Sequence, residues 1–369
     1  MRFWGITGTN GKTTTTWIAA EMMHAAYITT VEVWTGKRRF YSGYTTPPLS
    51  VLKEIYAEME ECGIKDCVME VSSHAIHQNR VGFGDTTFFS GGAFTNLSED
   101  HLDYHKTMAE YFRVKRSFAE AIGKMHESAG LGSKAPFVVC LDGENGEKMY
   151  ESVKNIPGID AIPVSVNNPG YDLSGLQLAG EYNKSNVLVA AAIAEAAGVP
   201  KAEIQAVIPT LTPRWGRLEK VETASKADVY VDFAHTPDGL AKVLSAVRHF
   251  ANGRVWVVFG AGGDRDRMKR PLMGEACANG ADELVVTSDN PRSEEPEAII
   301  ADILAGIPAE KHAAVIPERR EAIYHALANA ADGDVVVICG KGHETTQEIK
   351  GVKLPFDDRT VAREFRPQS

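Results

Sequence analysis

In Gly5-Ile6-Thr7-Gly8-Thr9-Asn10-Gly11-Lys12-Thr13-Thr14-Thr15, the run Gly8–Thr13 follows an apolar strand at residues 3–6 and opens a helical stretch predicted over 13–25. Gly-Lys-Thr between a strand and a helix is the setting in which backbone N–H groups and a helix N-terminus cradle phosphates. In that reading Gly8, Thr9, Asn10, Gly11, Lys12, Thr13 and Thr14 line a nucleotide. The Lys12 ammonium reaches the β- and γ-phosphates, and the Thr13 hydroxyl helps hold Mg²⁺. The generic phosphate-loop pattern asks for glycine at position 6, where this chain has Ile6. A Gly-rich turn that binds nothing is the plainer alternative.

Outward from that loop, strand-like runs (67–71, 88–95, 137–141) alternate with helical stretches (50–62, 108–122, 183–197). This alternation predicts α/β architecture with a mainly parallel sheet. A second series follows Pro209-Thr210-Leu211-Thr212-Pro213, with strands at 229–233, 254–260, 283–287 and 335–339 and helices between them. The expected organisation is a phosphate-loop domain over 1–212 and a Rossmann-like, doubly wound domain over 213–369. A length of 369 residues suits two domains at roughly 150 residues each.

Lys and Arg number 39 against 49 Asp and Glu, a net charge of −10, which argues against a nucleic-acid partner. The mix of 44% hydrophobic and 24% charged residues excludes a disordered or fibrous chain. No apolar run approaches the ~18–20 residues of a membrane span, and the N-terminus enters a strand without room for a signal peptide. Cysteines at 62, 67, 140, 277 and 339 are odd in number and form no CxxC pair. They fit reduced thiols and a cytoplasmic location.

Nine further motifs stand in order along the chain. They are 45–47 (Thr-Thr-Pro), 69–75 (Met-Glu-Val-Ser-Ser-His-Ala), 95–105 (Thr-Asn-Leu-Ser-Glu-Asp-His-Leu-Asp-Tyr-His), 182–186 (Tyr-Asn-Lys-Ser-Asn) and 216–219 (Gly-Arg-Leu-Glu). Then come 232–238 (Asp-Phe-Ala-His-Thr-Pro-Asp), 262–267 (Gly-Gly-Asp-Arg-Asp-Arg), 289–292 (Asp-Asn-Pro-Arg) and 340–344 (Gly-Lys-Gly-His-Glu). With the phosphate loop, this series resembles the Mur ligases, ATP-dependent amide ligases of cell-wall peptide synthesis, and among them the MurE branch.

The resemblance implies ATP and Mg²⁺ as cofactors, with Lys12, Glu70, His101 and Lys115 as the catalytic set. Thr13, Glu70, His101 and a carbamylated Lys115 would be the metal set. Imidazole is an unusual ligand for so hard an ion, and read without the resemblance Lys115 is a solvated helix lysine. Asn183, Asn186, Arg217, Asp232 and His235 resemble nucleotide-contacting positions, although asparagines at a helix start also serve as N-caps. Thr45, Thr46, Ser72, Ser73, His74 and Arg80 resemble the positions that hold the nucleotide-peptide acceptor. Arg265, Asn290, Arg292, Gly340 and Glu344 resemble the site for meso-diaminopimelate, whose distal carboxylate a guanidinium can grip with two parallel bonds.

The chain departs from the family pattern in several places. The family's N-terminal uridine-nucleotide domain has no counterpart before residue 5. Pro48 stands where Asp is usual, the stretch 145–182 looks short, and the loop at 82–92 is rich in Gly, Thr and Phe. The expected reaction is therefore addition of an amino acid to UDP-MurNAc-L-Ala-D-Glu or a related acceptor through an acyl phosphate. The alternatives are a non-uridine carboxylate acceptor, a separate protein that supplies the missing domain, and a non-catalytic ATP-binding subunit.

Overall fold

The computed structural model describes residues 1–143 and 145–367. The chain divides after Leu211 into two compact units. In the first, eight strands form one sheet in the order Arg39–Phe40, Val33–Trp34, Ala26–Ile28, Asp66–Glu70, Arg2–Thr7, Phe89–Phe94, Ala135–Cys140, Ile159–Val164. The two short strands at one end of the sheet are joined by antiparallel pairing, and the remaining pairs are parallel. Arg2–Thr7 lies at the centre and is buried at every position after Arg2, as a parallel strand with both faces covered must be. Register pairs Ile6 with Glu70 and Thr7 with Phe94. The chain positions that follow Thr7, Glu70 and Phe94 thus leave the sheet together at the carboxyl ends of its strands, where parallel sheets place ligands.

The Gly-rich stretch expected as a loop at 82–92 is in part a strand, since Gly91 and Gly92 belong to Phe89–Phe94. A Cβ on Gly92 would stand 2.8 Å from Ile122 Cδ1 and 3.1 Å from rings of Phe118 and Phe137. Large side chains from the helix Met108–Ser128 and the next strand occupy that space. This helix ends six residues beyond its expected end, because Met125 and His126 still face the core.

The second unit holds a six-stranded sheet in the order Ala313–Val315, Glu283–Val286, Val255–Phe259, Val335–Cys339, Asp228–Asp232, Glu219–Lys220. Only the two-residue strand Glu219–Lys220 pairs antiparallel. It makes Asp232 the end of this unit's second strand, where the sequence suggested the first. Val255–Phe259 and Val335–Cys339 are buried along their whole lengths. A hairpin, Thr346–Ile349 with Val352–Pro355, and the helix Asp358–Glu364 complete the unit. Each unit has its own apolar core. Among the described residues no helix is long and apolar enough to cross a membrane, and all five cysteines are free.

Candidate active site

The predicted phosphate loop runs from the central strand into the helix Lys12–Met23. Gly11 is the residue preceding that helix, at φ 82°, and no side chain caps it. A helix N-terminus of this kind presents its first-turn N–H groups as an anion cradle. A Cβ on Gly11 would lie 2.2 Å from Asn186 Oδ1, so a neighbouring helix comes up directly behind the cradle. The loop is tied down from the other side. Thr9 N donates to Asn96 O, Asn10 N to Asn96 Oδ1, and both Thr95 Oγ1 and Asn96 Nδ2 donate to Asn10 O. Thr9 Oγ1 lies 3.2 Å from the buried Tyr111 hydroxyl. Lys12 Nζ donates to Gly8 O (3.0 Å) and Thr9 O (2.8 Å), folded over the loop it serves. Thr13 is buried and Thr14 half-buried on the first turn. These features fit a triphosphate.

Lys115 is fully buried, and its ammonium donates to Gly8 O at 2.7 Å. Burial, reinforced by the neighbouring Lys12 charge and only partly offset by Asp100, lowers its pKa well below the usual lysine value. The reading of Lys115 as a solvated helix lysine is overturned. Glu70, also buried, accepts Thr30 N at 2.7 Å on one oxygen, and Thr30 Oγ1 lies 3.1 Å from the other. His101 sits at φ 56° with its N–H donating to Asp100 Oδ1. Burial, against Asp100 and aided by His74, Lys12 and Lys115, keeps its imidazole neutral, as a ligating nitrogen must be. Among the described residues no three His, Cys, Asp or Glu side chains form a ready cage. Mg²⁺ is ordinarily held by one or two carboxylates together with substrate phosphates. A buried carboxylate, a hydroxyl and a lysine that can become a carbamate fit that habit.

Thr46 Oγ1 donates to Glu70 O at 2.8 Å and accepts Ser72 N. Thr45 Oγ1 lies 3.1 Å from the Thr30 hydroxyl that also faces Glu70. Ser72 caps the short helix Ser73–His77, accepting Ala75 N. Ser73 Oγ lies 2.9 Å from His105 Nε2, and His105 stacks on Tyr111. The His74 ring lies 5.0 Å from His101 and 4.1 Å from Tyr104. Arg80 Nε donates to Gln78 Oε1, and Gln78 donates to the Tyr104 hydroxyl. Pro48, the unexpected residue, precedes the helix Leu49–Glu61 in extended conformation.

Asn183 and Asn186 do not cap their helix. Gly180 occupies that position, and both asparagines are buried inside Glu181–Ala196. Asn186 Nδ2 donates to Asn183 Oδ1, Thr15 Oγ1 donates to Asn186 Oδ1, and Asn183 Nδ2 donates to Ala179 O. The amides bind this helix to the helix behind the phosphate loop.

In the second unit, Asn290 and Glu344 meet directly, Asn290 Nδ2 donating to Glu344 Oε2 at 2.8 Å. Gly263 N donates to Asn290 O, and Arg292 Nη1 donates back to Gly263 O. Arg292 has φ 53°. Gly340 stands at φ 116° beside Asp289, where a Cβ would lie 2.5 Å from Asp289 Oδ2. Arg265 is exposed on the adjoining loop, outside this bonded cluster. Asp232 is buried and accepts Leu218 N (2.6 Å) and Ala234 N (2.7 Å), so its carboxylate holds a backbone turn. Burial raises its pKa against the pull of Arg217. Arg217 lies over the Phe233 ring, and His235 Nδ1 is 2.8 Å from Phe233 O.

A family model described as the Mur ligase middle domain matches residues 6–194, and one described as Mur ligase, glutamate ligase domain, matches residues 216–342. The chain belongs to the Mur ligase family. As a Mur ligase it is an ATP-dependent enzyme that forms amide bonds. It is 41% identical to a Geobacillus thermodenitrificans protein named UDP-N-acetylmuramoyl-L-alanyl-D-glutamate–2,6-diaminopimelate ligase, over 97% of this chain and 77% of that one. An Aquifex aeolicus protein of the same name is 40% identical over 98% of this chain and 76% of its own. A solved structure of a ligase so named superimposes with a TM-score of 0.61 at 32% identity, over 98% of this chain and 77% of that one. A Mycobacterium tuberculosis folylpolyglutamate synthase shares the fold, with a TM-score of 0.65 at 17% identity over 92% and 87%.

Each unit also holds residues that sequence reasoning missed. Thr30, Asn96 and Tyr111 hold Glu70 and the loop, and Lys341 joins Asn290 to Glu344. Lys341 carried a signal, since it stands inside the quoted 340–344 motif. Thr30 carried none, because only the tertiary fold brings it to Glu70.

Proposed function

We propose that this Mur ligase adds meso-diaminopimelate to the peptide carboxylate of UDP-MurNAc-L-Ala-D-Glu in the cytoplasm. One observation carries this choice of amino acid. Asn290, Arg292 and Glu344 stand in one hydrogen-bonded cluster that offers a cation and an anion to a zwitterionic side-chain end. Lysine, which lacks the distal carboxylate, would give Arg292 no ligand carboxylate to grip.

The acceptor carboxylate oxygen attacks the γ-phosphorus of ATP, forming a P–O bond as the β–γ bridge breaks and ADP departs. The diaminopimelate amine then attacks the acyl carbon, inorganic phosphate leaves and the amine loses a proton. Such steps require alignment and charge neutralisation more than covalent chemistry from the protein. The helix N-terminus and Lys12 hold the phosphates. Thr45, Thr46, Ser72, Ser73, His74 and Arg80 position the acceptor. Thr13, Glu70, His101 and carbamylated Lys115 would hold Mg²⁺, which when bound supplies charge neutralisation at the phosphates.

The test is mass spectrometry of a reaction of ATP, Mg²⁺, UDP-MurNAc-L-Ala-D-Glu and meso-diaminopimelate, with phosphate release followed in the same tube. The expected product is the tripeptide with one phosphate per bond. Phosphate release dependent on a different carboxylate, with no tripeptide, would overturn the acceptor.

A further inference from the structure

This inference rests on the diaminopimelate reading and concerns a residue that reading does not use. Lys341 has no exposed surface. Its ammonium donates to Asn290 Oδ1 at 3.1 Å, Glu344 Oε2 at 2.8 Å and Thr346 O at 2.7 Å. Three bonds exhaust an ammonium's donors. Asn290 Oδ1 also accepts Glu348 N at 2.9 Å, which fixes the amide so that Nδ2 donates to Glu344 Oε2. Two donors therefore occupy Oε2, while Oε1 accepts no hydrogen bond among the described residues. The Glu344 side chain is 32% exposed, so solvent and ligands reach it.

We propose that Lys341 is a specificity-determining positioning residue. It locks the Asn290 amide, occupies one oxygen of Glu344 and leaves the other for the distal ammonium of the incoming amino acid. Its buried charge also cancels that of Glu344, with a consequence for selectivity. A lone ammonium, as on lysine, meets a carboxylate whose charge the neighbouring Lys341 already offsets and gains little. A zwitterionic end gains Oε1 and Arg292 together. Taking Lys341 away would leave Glu344 an uncompensated partly buried anion, attractive to a lone ammonium, and would free the Asn290 amide to turn.

The experiment compares wild type, Lys341→Met and Lys341→Gln with UDP-MurNAc-L-Ala-D-Glu, ATP and Mg²⁺, measuring kcat and KM for meso-diaminopimelate, L-lysine and ATP. In the variants the diaminopimelate KM should rise at least about tenfold, and the KM for ATP should stay within about twofold of wild type. The diaminopimelate-to-lysine ratio of kcat/KM should fall at least about tenfold. A lysine that merely supports the fold would lower turnover of both amino acids alike and leave that ratio unmoved. A folded variant whose ratio stays within about twofold of wild type overturns the proposal. So does loss of the fold in both variants, read by thermal melts and near-UV circular dichroism, since Lys341 is then only structural. Wild type that makes no tripeptide from meso-diaminopimelate is a different result, and it removes the underlying reading along with this one.

Discussion

Lys115 shows how far one residue's chemistry depends on its surroundings. On sequence alone it belongs to a solvated helix face. In the fold it is buried against the phosphate loop with its ammonium on Gly8 O. Burial and the adjacent Lys12 favour the neutral amine, and only a neutral amine adds CO₂. The addition forms an N–C bond and releases one proton, turning the neutral amine into an anion beside the proposed metal set. Wild-type enzyme in ¹³C-bicarbonate should therefore show a carbamate carbon resonance by NMR that Lys115→Arg lacks. Identical spectra would remove Lys115 from the metal set. The substitution should also lower kcat by at least about 10²-fold, as loss of a preorganised electrostatic group does.

Between elements, the phosphate loop depends on two close approaches. Strand-end residues Thr95 and Asn96 grip Asn10, and Asn186 packs against Gly11 from the helix Glu181–Ala196. Gly11→Ala combines a left-handed backbone with a Cβ 2.2 Å from an amide oxygen. The expected cost is about 1–3 kcal/mol of stability, with ATP-dependent phosphate release falling to background. A variant with wild-type melting temperature and turnover would show that the loop relaxes at no cost. The asparagines are a lesson at this scale. Their place near a helix start suggested capping, but the cap lies three residues before Asn183. The helix starts at Glu181, just after Gly180, a boundary that the Ala-rich pattern did not mark.

Across the whole molecule, stability against acid follows from carboxylates paired to buried cations. Glu294 is the plainest case. The fully buried Arg270, bonded to both of its oxygens, holds its pKa from 4.5 down to about 2 against the opposing effect of burial, helped by Asp264 N and Arg267. A carboxylate whose pKa is depressed on folding contributes stability that is complete above 4.5 and lost as pH falls towards 2. The amount is about 1–3 kcal/mol. Glu294→Gln should melt lower than wild type at pH 7 and show a shallower loss of melting temperature between pH 4.5 and 2. Parallel acid profiles for the two proteins would rule out this pair as a source of the pH dependence.

The sequence by itself determined the alternation of strands and helices, the place of the phosphate loop and the kinship carried by ordered motifs. Each of these is written in local periodicity and in residues a few positions apart. Shorter or less apolar elements escaped it. Ile159–Val164 is half-exposed and contains Pro163, and the hairpin after residue 345 presents exposed Val352 and Leu354. Only the tertiary structure decided which polar groups are buried together. Thr30 reaches Glu70 across forty positions, Lys115 reaches Gly8 across 107, and Lys341 reaches Asn290 across 51. Burial fixes the orientation of these groups and, at Lys115, favours the neutral amine, and burial is a property of the packed chain that no short stretch of sequence encodes.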